Sequence, residues 1–310
     1  MWHLIALLWL NLLSAHAQQV PAFTHYWMLP AAYNPAAAGR SELLNVVVAY
    51  NSQLTGYERA PRTMLGAVDV QLSTGSLRHG VGAYMLKDAL GLFDHTRLSA
   101  QYNYQLRLWG GTLAIGGQLD LLNETFKGTK LDVEDASDQA LPRTDVNGSK
   151  LDASAGLYYT AKGGRWYAAL SALHLTAPTI TLGETYHYGL KRTFFAMGGY
   201  NIPTRWAFLT LHPSVFGAYD GADYMATATL RADYRHEGRY LFGAASYSVD
   251  RSVAIAIGGQ WRGIVLTYSY EAYTGGVGLG HGSHEVVVGY QMPLSLGKKQ
   301  KNRHKSVRLL

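Results

Sequence analysis

Polar and apolar side chains alternate residue by residue through segment after segment of this chain. After residue 17 no apolar run reaches 18 residues. A spanning helix needs about 20 apolar residues in a row, so none is available. Strict alternation places every second side chain on one face of an extended strand. The clearest case is 97–108. Arg97, Ser99, Gln101, Asn103, Gln105 and Arg107 share one face, and Leu98, Ala100, Tyr102, Tyr104, Leu106 and Leu108 share the other. The pattern recurs in 222–235, where Tyr224, Ala226, Ala228, Leu230, Ala232 and Tyr234 oppose Met225, Thr227, Thr229, Arg231, Asp233 and Arg235. It recurs in 262–274 and 284–292, and less cleanly in 42–53, 62–74, 79–89, 111–124, 149–161, 165–174, 191–202, 205–218, 239–248 and 250–261. These make about fourteen strands, separated by Gly, Asp, Asn and Pro clusters such as Trp109-Gly110-Gly111. The longest gaps are 125–148 and 175–190.

Alternation does not say which face meets water. A soluble sandwich buries its apolar face, whereas a barrel in lipid turns that face outward. Three features favour the barrel. The segments reach the roughly 10 residues a tilted strand needs to cross a bilayer. Trp109, Trp166, Trp206, Tyr240 and Trp261 fall near segment ends, where aromatic girdles lie. Composition agrees, with 15% charged residues, 34 Gly, and 22 Tyr against 8 Phe, at a mean hydropathy of only −0.07. A sheet in hydrocarbon must also close, because an unpaired edge there is costly. The expected fold is all-β: a closed antiparallel transmembrane β-barrel, both ends periplasmic.

Export fits this reading. Trp2–Leu13 is mostly apolar and is followed by Ser14-Ala15-His16-Ala17, an A-x-A pattern of a secretory signal peptide cut after Ala17. The expected organisation is 1–17 signal peptide, 18–41 amino-terminal periplasmic or plug segment, 42–293 barrel and 294–310 basic periplasmic tail. The net charge of +6 belongs to that tail. Lys298, Lys299, Lys301, Arg303, Lys305 and Arg308 are six of the 27 Lys and Arg, leaving 21 against 21 Asp and Glu. The bulk charge is therefore no argument for nucleic acid. The tail reads either as a docking element for an anionic partner or as a solubilising end.

Nothing in the sequence assembles a catalytic site, and no cofactor is expected. With no cysteine, thiolate metal sites and Cys nucleophiles are excluded. His281, His284 and Glu285 lie close together, but their spacing is neither HExxH nor that of one strand face. They read as turn and strand-start residues. Asp132, Glu134, Asp135 and Asp138 lack EF-hand spacing and read as a solvated loop. Gly276, Gly278, Gly280 and Gly282 are not a phosphate loop, because no helix follows.

The segment after the signal peptide is unlike a strand. Tyr26, Trp27, Met28, Leu29 and Tyr33 crowd together, and Pro30 and Pro35 bracket small residues up to Gly39. Proline removes backbone donors, so the segment pairs poorly in a sheet, yet it is too apolar to be a solvated tail. Three readings stay open: it packs into the periplasmic mouth of the barrel, it forms a surface on which partners dock, or it is a linker that merely precedes the first strand. The polar face of the barrel, read as small and neutral, leaves either a passage or room for a plug. On that face a change at Gln101 is expected to cost far less than one at Tyr102.

Tyr33-Asn34-Pro35-Ala36-Ala37-Ala38-Gly39 resembles the opening signature of the PorP/SprF family, outer-membrane proteins of the type IX secretion system of Bacteroidota. Gln53, Gly56, Pro61 and Thr63 are similar to its Q-x-x-G…P-x-T stretch, and Gly80, Gly82, Asp88 and Gly91 to its next hairpin. Tyr268-Ser269-Tyr270-Glu271 and Ser283-His284-Glu285-Val286 resemble its closing elements. The resemblance implies a non-enzymatic component of a secretion or gliding apparatus. Its partners would be outer-membrane lipids, ring lipoproteins and an OmpA-like peptidoglycan-binding protein. The docking candidates are then Tyr26, Pro30, Tyr33, Asn34, Pro35 and Gly39, with Lys298, Lys299, Lys301 and Arg303 in the tail. The alternative from the residues alone is a porin or small-molecule transporter.

Overall fold

The computed structural model describes residues 21–74, 77–130, 143–183, 186–275 and 282–293. Fourteen strands form the wall. The first seven are β1 (Leu43–Ser52), β2 (Arg62–Thr74), β3 (Leu77–Leu90), β4 (Phe93–Leu108), β5 (Gly111–Lys127), β6 (Asp145–Thr160) and β7 (Trp166–Leu173). The second seven are β8 (Thr193–Tyr200), β9 (Leu209–Tyr219), β10 (Tyr224–His236), β11 (Arg239–Ser248), β12 (Ser252–Trp261), β13 (Ile264–Tyr273) and β14 (Ser283–Pro293). Each pairs antiparallel with its neighbours in the chain, and β1 pairs with β14 from Leu43↔Pro293 to Ser52↔His284. The barrel therefore closes without a free edge, which satisfies the backbone where no water could.

The faces are those of a barrel in lipid. Along β4, Arg97, Ser99, Gln101 and Asn103 are buried inside, while Leu98, Tyr102 and Leu106 are exposed outside. Outward side chains elsewhere are Val46, Val48, Leu119, Ile255, Leu266 and Val288, all exposed. Trp109, Trp166, Tyr200, Trp206 and Trp261 stand exposed at one end, and Tyr50, Tyr57, Tyr219, Tyr224 and Tyr247 at the other, which makes two girdles. Tyr240 departs from the girdle expectation. It alternates to the inner face, where its hydroxyl donates to Asp233 Oδ2 at 3.2 Å. Replacing Tyr102 with Arg puts a charge on the lipid side of mid-strand. The expected destabilisation is roughly 2–4 kcal/mol, read as a lowered denaturant midpoint in lipid vesicles. An unchanged midpoint would reverse the assignment of faces.

The two ends differ in their connections. At one end tight hairpins turn on Trp109-Gly110, Glu237-Gly238 and Arg262-Gly263, with both residues of each pair at positive φ. That is the two-residue turn whose twist matches the strands. Both Leu43 and Pro293 lie at this end. Short turns mark the periplasmic side of such barrels, and longer connections the outer side. The outer connection 174–192, read from sequence as a gap, contains a further hairpin, Thr179–Leu182 paired with Tyr186–Gly189. Its Ile180 and Leu182 bury against Leu122, Phe126, Phe93 and Val146. Strands of four residues are too short to stand out from a loop by periodicity. The acidic cluster Asp132, Glu134, Asp135 and Asp138 lies outside the described residues, as do the signal peptide, Gly276, Gly278, Gly280 and His281.

Candidate functional site: a segment that fills the lumen

A barrel of eight strands is filled by its own side chains, whereas sixteen to eighteen leave a channel. With fourteen, space remains inside, and residues 21–39 occupy it. Phe23, His25, Tyr26, Leu29, Tyr33, Asn34, Ala36, Ala37 and Ala38 are all buried. The segment makes two short turns, each begun by a proline. Pro30–Tyr33 is a single helical turn and Pro35–Ala37 a 3-10 turn. Proline is tolerated at the first helical position because its missing N–H would have no partner there. Asn34 links the turns. Its N–H donates to Pro30 O at 3.0 Å, and its Oδ1 accepts from Ala36 N at 2.9 Å.

The wall recognises this segment mainly through its backbone. Three inward residues of β4 act in succession: Gln105 Nε2 donates to Gly39 O at 2.8 Å, Asn103 Nδ2 to Ala38 O at 2.7 Å, and Gln101 Nε2 to Ala31 O at 2.6 Å. Across the lumen Ser171 Oγ donates to Tyr33 O at 2.6 Å, and Asn34 Nδ2 to Leu157 O and Leu170 O at 3.0 and 3.1 Å. Nearer the outer end the Glu285 carboxylate accepts from Thr24 N (2.8 Å), His25 N (2.9 Å) and His25 Nδ1 (2.6 Å). Both His25 and Glu285 are almost wholly removed from solvent. Buried polar groups left without partners are costly, so these contacts define one seating for the segment.

Shape supplies the rest. Inward glycines make hollows for the small residues. A Cβ on Gly116 would lie 2.5 Å from Ala36 N, and one on Gly80 or Gly156 would overlap Ala38 O or Asn34 Oδ1. Gly39 sits at φ +64, and a Cβ there would meet the backbone of Gly80. On the opposite wall Tyr26 stacks on Phe216 with centroids 5.1 Å apart, and Tyr33 meets Phe216 edge-on at 4.8 Å and Phe195 at 5.4 Å. Tyr26 Oη lies 2.7 Å from Ser214 Oγ.

Tyr26, Pro30, Tyr33, Asn34, Pro35 and Gly39 thus all sit inside the barrel, packed on its wall. Lys298, Lys299, Lys301 and Arg303 lie outside the described residues. Two expectations about the lumen need correcting. Its face is not uniformly small and neutral: Phe195, Phe216 and Phe242 point inward, as do Arg97, Asp120, Glu124, Asp152 and Asp233. Gln101 is no tolerant position either, since it holds both Ala31 O and Gln118 Oε1. Sequence reasoning also missed Glu285, read there as a strand-start residue. It is buried facing His25, while His284 points outward with its Nδ1 2.8 Å from Tyr268 Oη. Opposite faces of one strand cannot share a ligand, and among the described residues no group of three His, Asp or Glu is placed to hold a metal ion. A usable signal was present in the run of inward amides at 101, 103 and 105 and the inward glycines at 80, 116 and 156.

A closed barrel with two aromatic girdles, an apolar outer face and a lumen filled by its own amino-terminal segment is an outer-membrane β-barrel of the plugged kind. The chain belongs to the family described as "Type IX secretion system membrane protein PorP/SprF", which it matches over residues 15–290. Its place in the outer membrane, as a component of that system, follows from fold and family together. The residues behind the resemblance meet in the structure: Asn34 and Gly39 in the plug, Gly80 and Glu285 against it, and Thr63 Oγ1 donating to Asp88 Oδ1 at 2.6 Å beside it. No curated protein matches the chain. Among solved structures it is similar to the Pseudomonas putida toluene transporter TodX, at 9% identity and TM-score 0.48, covering 89% of this chain and 95% of that one. It is also similar to the CymD monoaromatic hydrocarbon channel, at 10% identity and TM-score 0.48 over 86% and 91% of the two chains. The Acinetobacter baumannii outer membrane protein Omp33 gives 7% identity and TM-score 0.44 over 82% and 100%. Likeness at this level says nothing about what passes through or binds to this barrel.

Proposed function

We propose that the protein is a non-enzymatic anchor of the type IX machinery: a barrel held shut by residues 21–39 that presents its periplasmic face to secretion components. The filled lumen carries this reading. A channel needs a water path, whereas this interior spends its amide side chains, glycines and aromatic rings on one fixed segment. Docking through Tyr26 or Tyr33 would require the segment to leave the lumen. Docking therefore falls to the periplasmic turns and to the tail with Lys298, Lys299, Lys301 and Arg303, which offers charge to an acidic partner. Ring lipoproteins and an OmpA-like peptidoglycan binder are the partners this reading names.

The test is to reverse Lys298, Lys299, Lys301 and Arg303 to Glu in cells, crosslink mildly, and recover the barrel. The variant should reach the outer membrane with its lumen closed, lose its periplasmic partners and secrete poorly. Normal secretion with the same partners retained would exclude the tail as the docking element.

A further inference from the structure

The segment leaves one hollow at the periplasmic mouth. A cavity of about 290 Å³ lies there between residues 27–40 and the inner wall. Trp27 and Arg40 line it from the segment, Tyr158 of β6 and Tyr167 of β7 from one side of the wall, and His212 of β9 and Arg231 of β10 from the other. Gly164, in the short turn between β6 and β7, lines it at the end of the barrel that carries Trp166. Two arginines and a histidine thus face the hollow, and none of the described residues lining it is Asp or Glu. Each guanidinium lies over an aromatic ring. Arg40 is 5.2 Å from the Tyr158 centroid and Arg231 5.8 Å from that of Trp27, which steadies a cation without neutralising it. Arg231 has Asp233 beside it, with Nε 2.8 Å from Oδ1. Arg40 has no such partner. It is exposed, its Nη1 donates to Tyr158 Oη at 2.8 Å, and it makes no ion pair among the described residues. The indole N–H of Trp27 is buried without a hydrogen-bond partner among them. A donor left over beside an unpaired cation marks the place of a missing acceptor.

We propose that this hollow is a carboxylate-binding site open to the periplasm, and that it takes an Asp or Glu side chain from an acidic segment of a periplasmic partner, with Arg40 and Arg231 as counter-charges. Charge carries the choice of occupant. A site lined by cations and aromatic rings, with no carboxylate among its lining residues, is complementary to an anion and repels a basic segment. Size narrows the choice. Pockets for small molecules run from about 300 to 1,000 Å³, so this one suits a side chain or two rather than a whole ligand. Planar guanidinium groups suit carboxylates in particular, because each offers two N–H donors in parallel. The site is built from both the segment and the wall, so its occupant binds the seated segment better than a displaced one and helps to hold the barrel shut. The inference deepens the anchoring reading of the barrel and rests on it.

The full chain, purified folded from outer membranes in detergent, is titrated into fluorescein-labelled hexaglutamate and followed by anisotropy, with hexaglutamine and free glutamate as controls. Lys298, Lys299, Lys301 and Arg303 are changed to Gln throughout, so that the basic tail does not supply the charge. Hexaglutamate should bind and hexaglutamine should not. Arg40→Gln should weaken binding at least about fivefold, and Arg40→Lys, which keeps the charge and loses the fork, by less. A second measurement leaves the site unaltered: hexaglutamate bearing a benzophenone should crosslink to Met197, which also lines the hollow. Absence of binding, binding that Arg40→Gln leaves unchanged, or crosslinking only at other places overturns the proposal. Free glutamate competing as well as hexaglutamate at equal concentration assigns the hollow to a small anion and overturns the acidic segment. Anchoring is judged separately, by secretion in cells carrying Arg40→Gln with the native tail. If peptide binding is lost while secretion stays normal, the site stands as a binder of acidic peptide and the anchoring reading falls.

Discussion

Replacing Glu285 with Ala releases the upper part of the lumenal segment while the barrel stays folded. The carboxylate accepts from two backbone N–H groups and from His25 Nδ1, all within 2.9 Å, and the two contacts with His25 are buried. Truncating it strands three donors at once, the two of His25 buried. Hydrogen bonds to a charged group are worth about 1.5–3 kcal/mol each, so losing the two buried ones costs about 3–6 kcal/mol. At roughly 1.4 kcal/mol per decade, the exposed population of the segment should rise by about two to four orders of magnitude. The readout is the labelling rate of a thiol at Ala32, measured while the barrel still shows its folded mobility on a gel. Glu285→Gln keeps an acceptor at this place and should fall between parent and Ala. If the Ala variant protects position 32 as well as the parent does, Glu285 is not what fastens the segment.

Filling the wall hollows should open the pore. Val at both Gly116 and Gly156 sets branched carbon where the backbone at Ala36 and the side chain of Asn34 now lie. Overpacking a close-packed site costs about 1–3 kcal/mol, and here the nearest clashes are with the plug. The double variant should reach the membrane and conduct ions in planar bilayers, and the parent should not. Deleting 26–39 should conduct at least as well, because a fourteen-stranded wall is too wide to fill itself. A closed double variant would mean that the segment moves aside without uncovering a path. A conducting parent would favour the porin reading.

Local pattern alone determined a great deal about this protein. The period-two alternation located the strands and their number, and it sorted side chains such as Leu98 and Gln101 onto opposite faces. It could do so because alternation is a property of the extended backbone itself and needs no distant partner. The Trp109-Gly110-Gly111 cluster marked a break between strands for the same reason: positive φ at both residues of the 109–110 turn is a local demand. The crowding of aromatics and prolines at 26–39 showed that this segment could be neither strand nor solvated tail.

What the segment does was decided only by closure of the barrel. Glu285 meets Thr24 and His25 across some 260 positions of sequence, and Ser171 meets Tyr33 across 138. No window of sequence contains such pairs. The inward amides of β4 look like ordinary polar lumen residues until the first and last strands join and a chain segment is threaded between them. The outer hairpin at 179–189 is likewise held by Leu122 and Phe126 of β5 rather than by its own short periodicity. Strand and face are written in neighbouring residues. The choice between an open pore and a closed one depends on which buried donors find acceptors on the far wall, and that exists only once the sheet has become a cylinder.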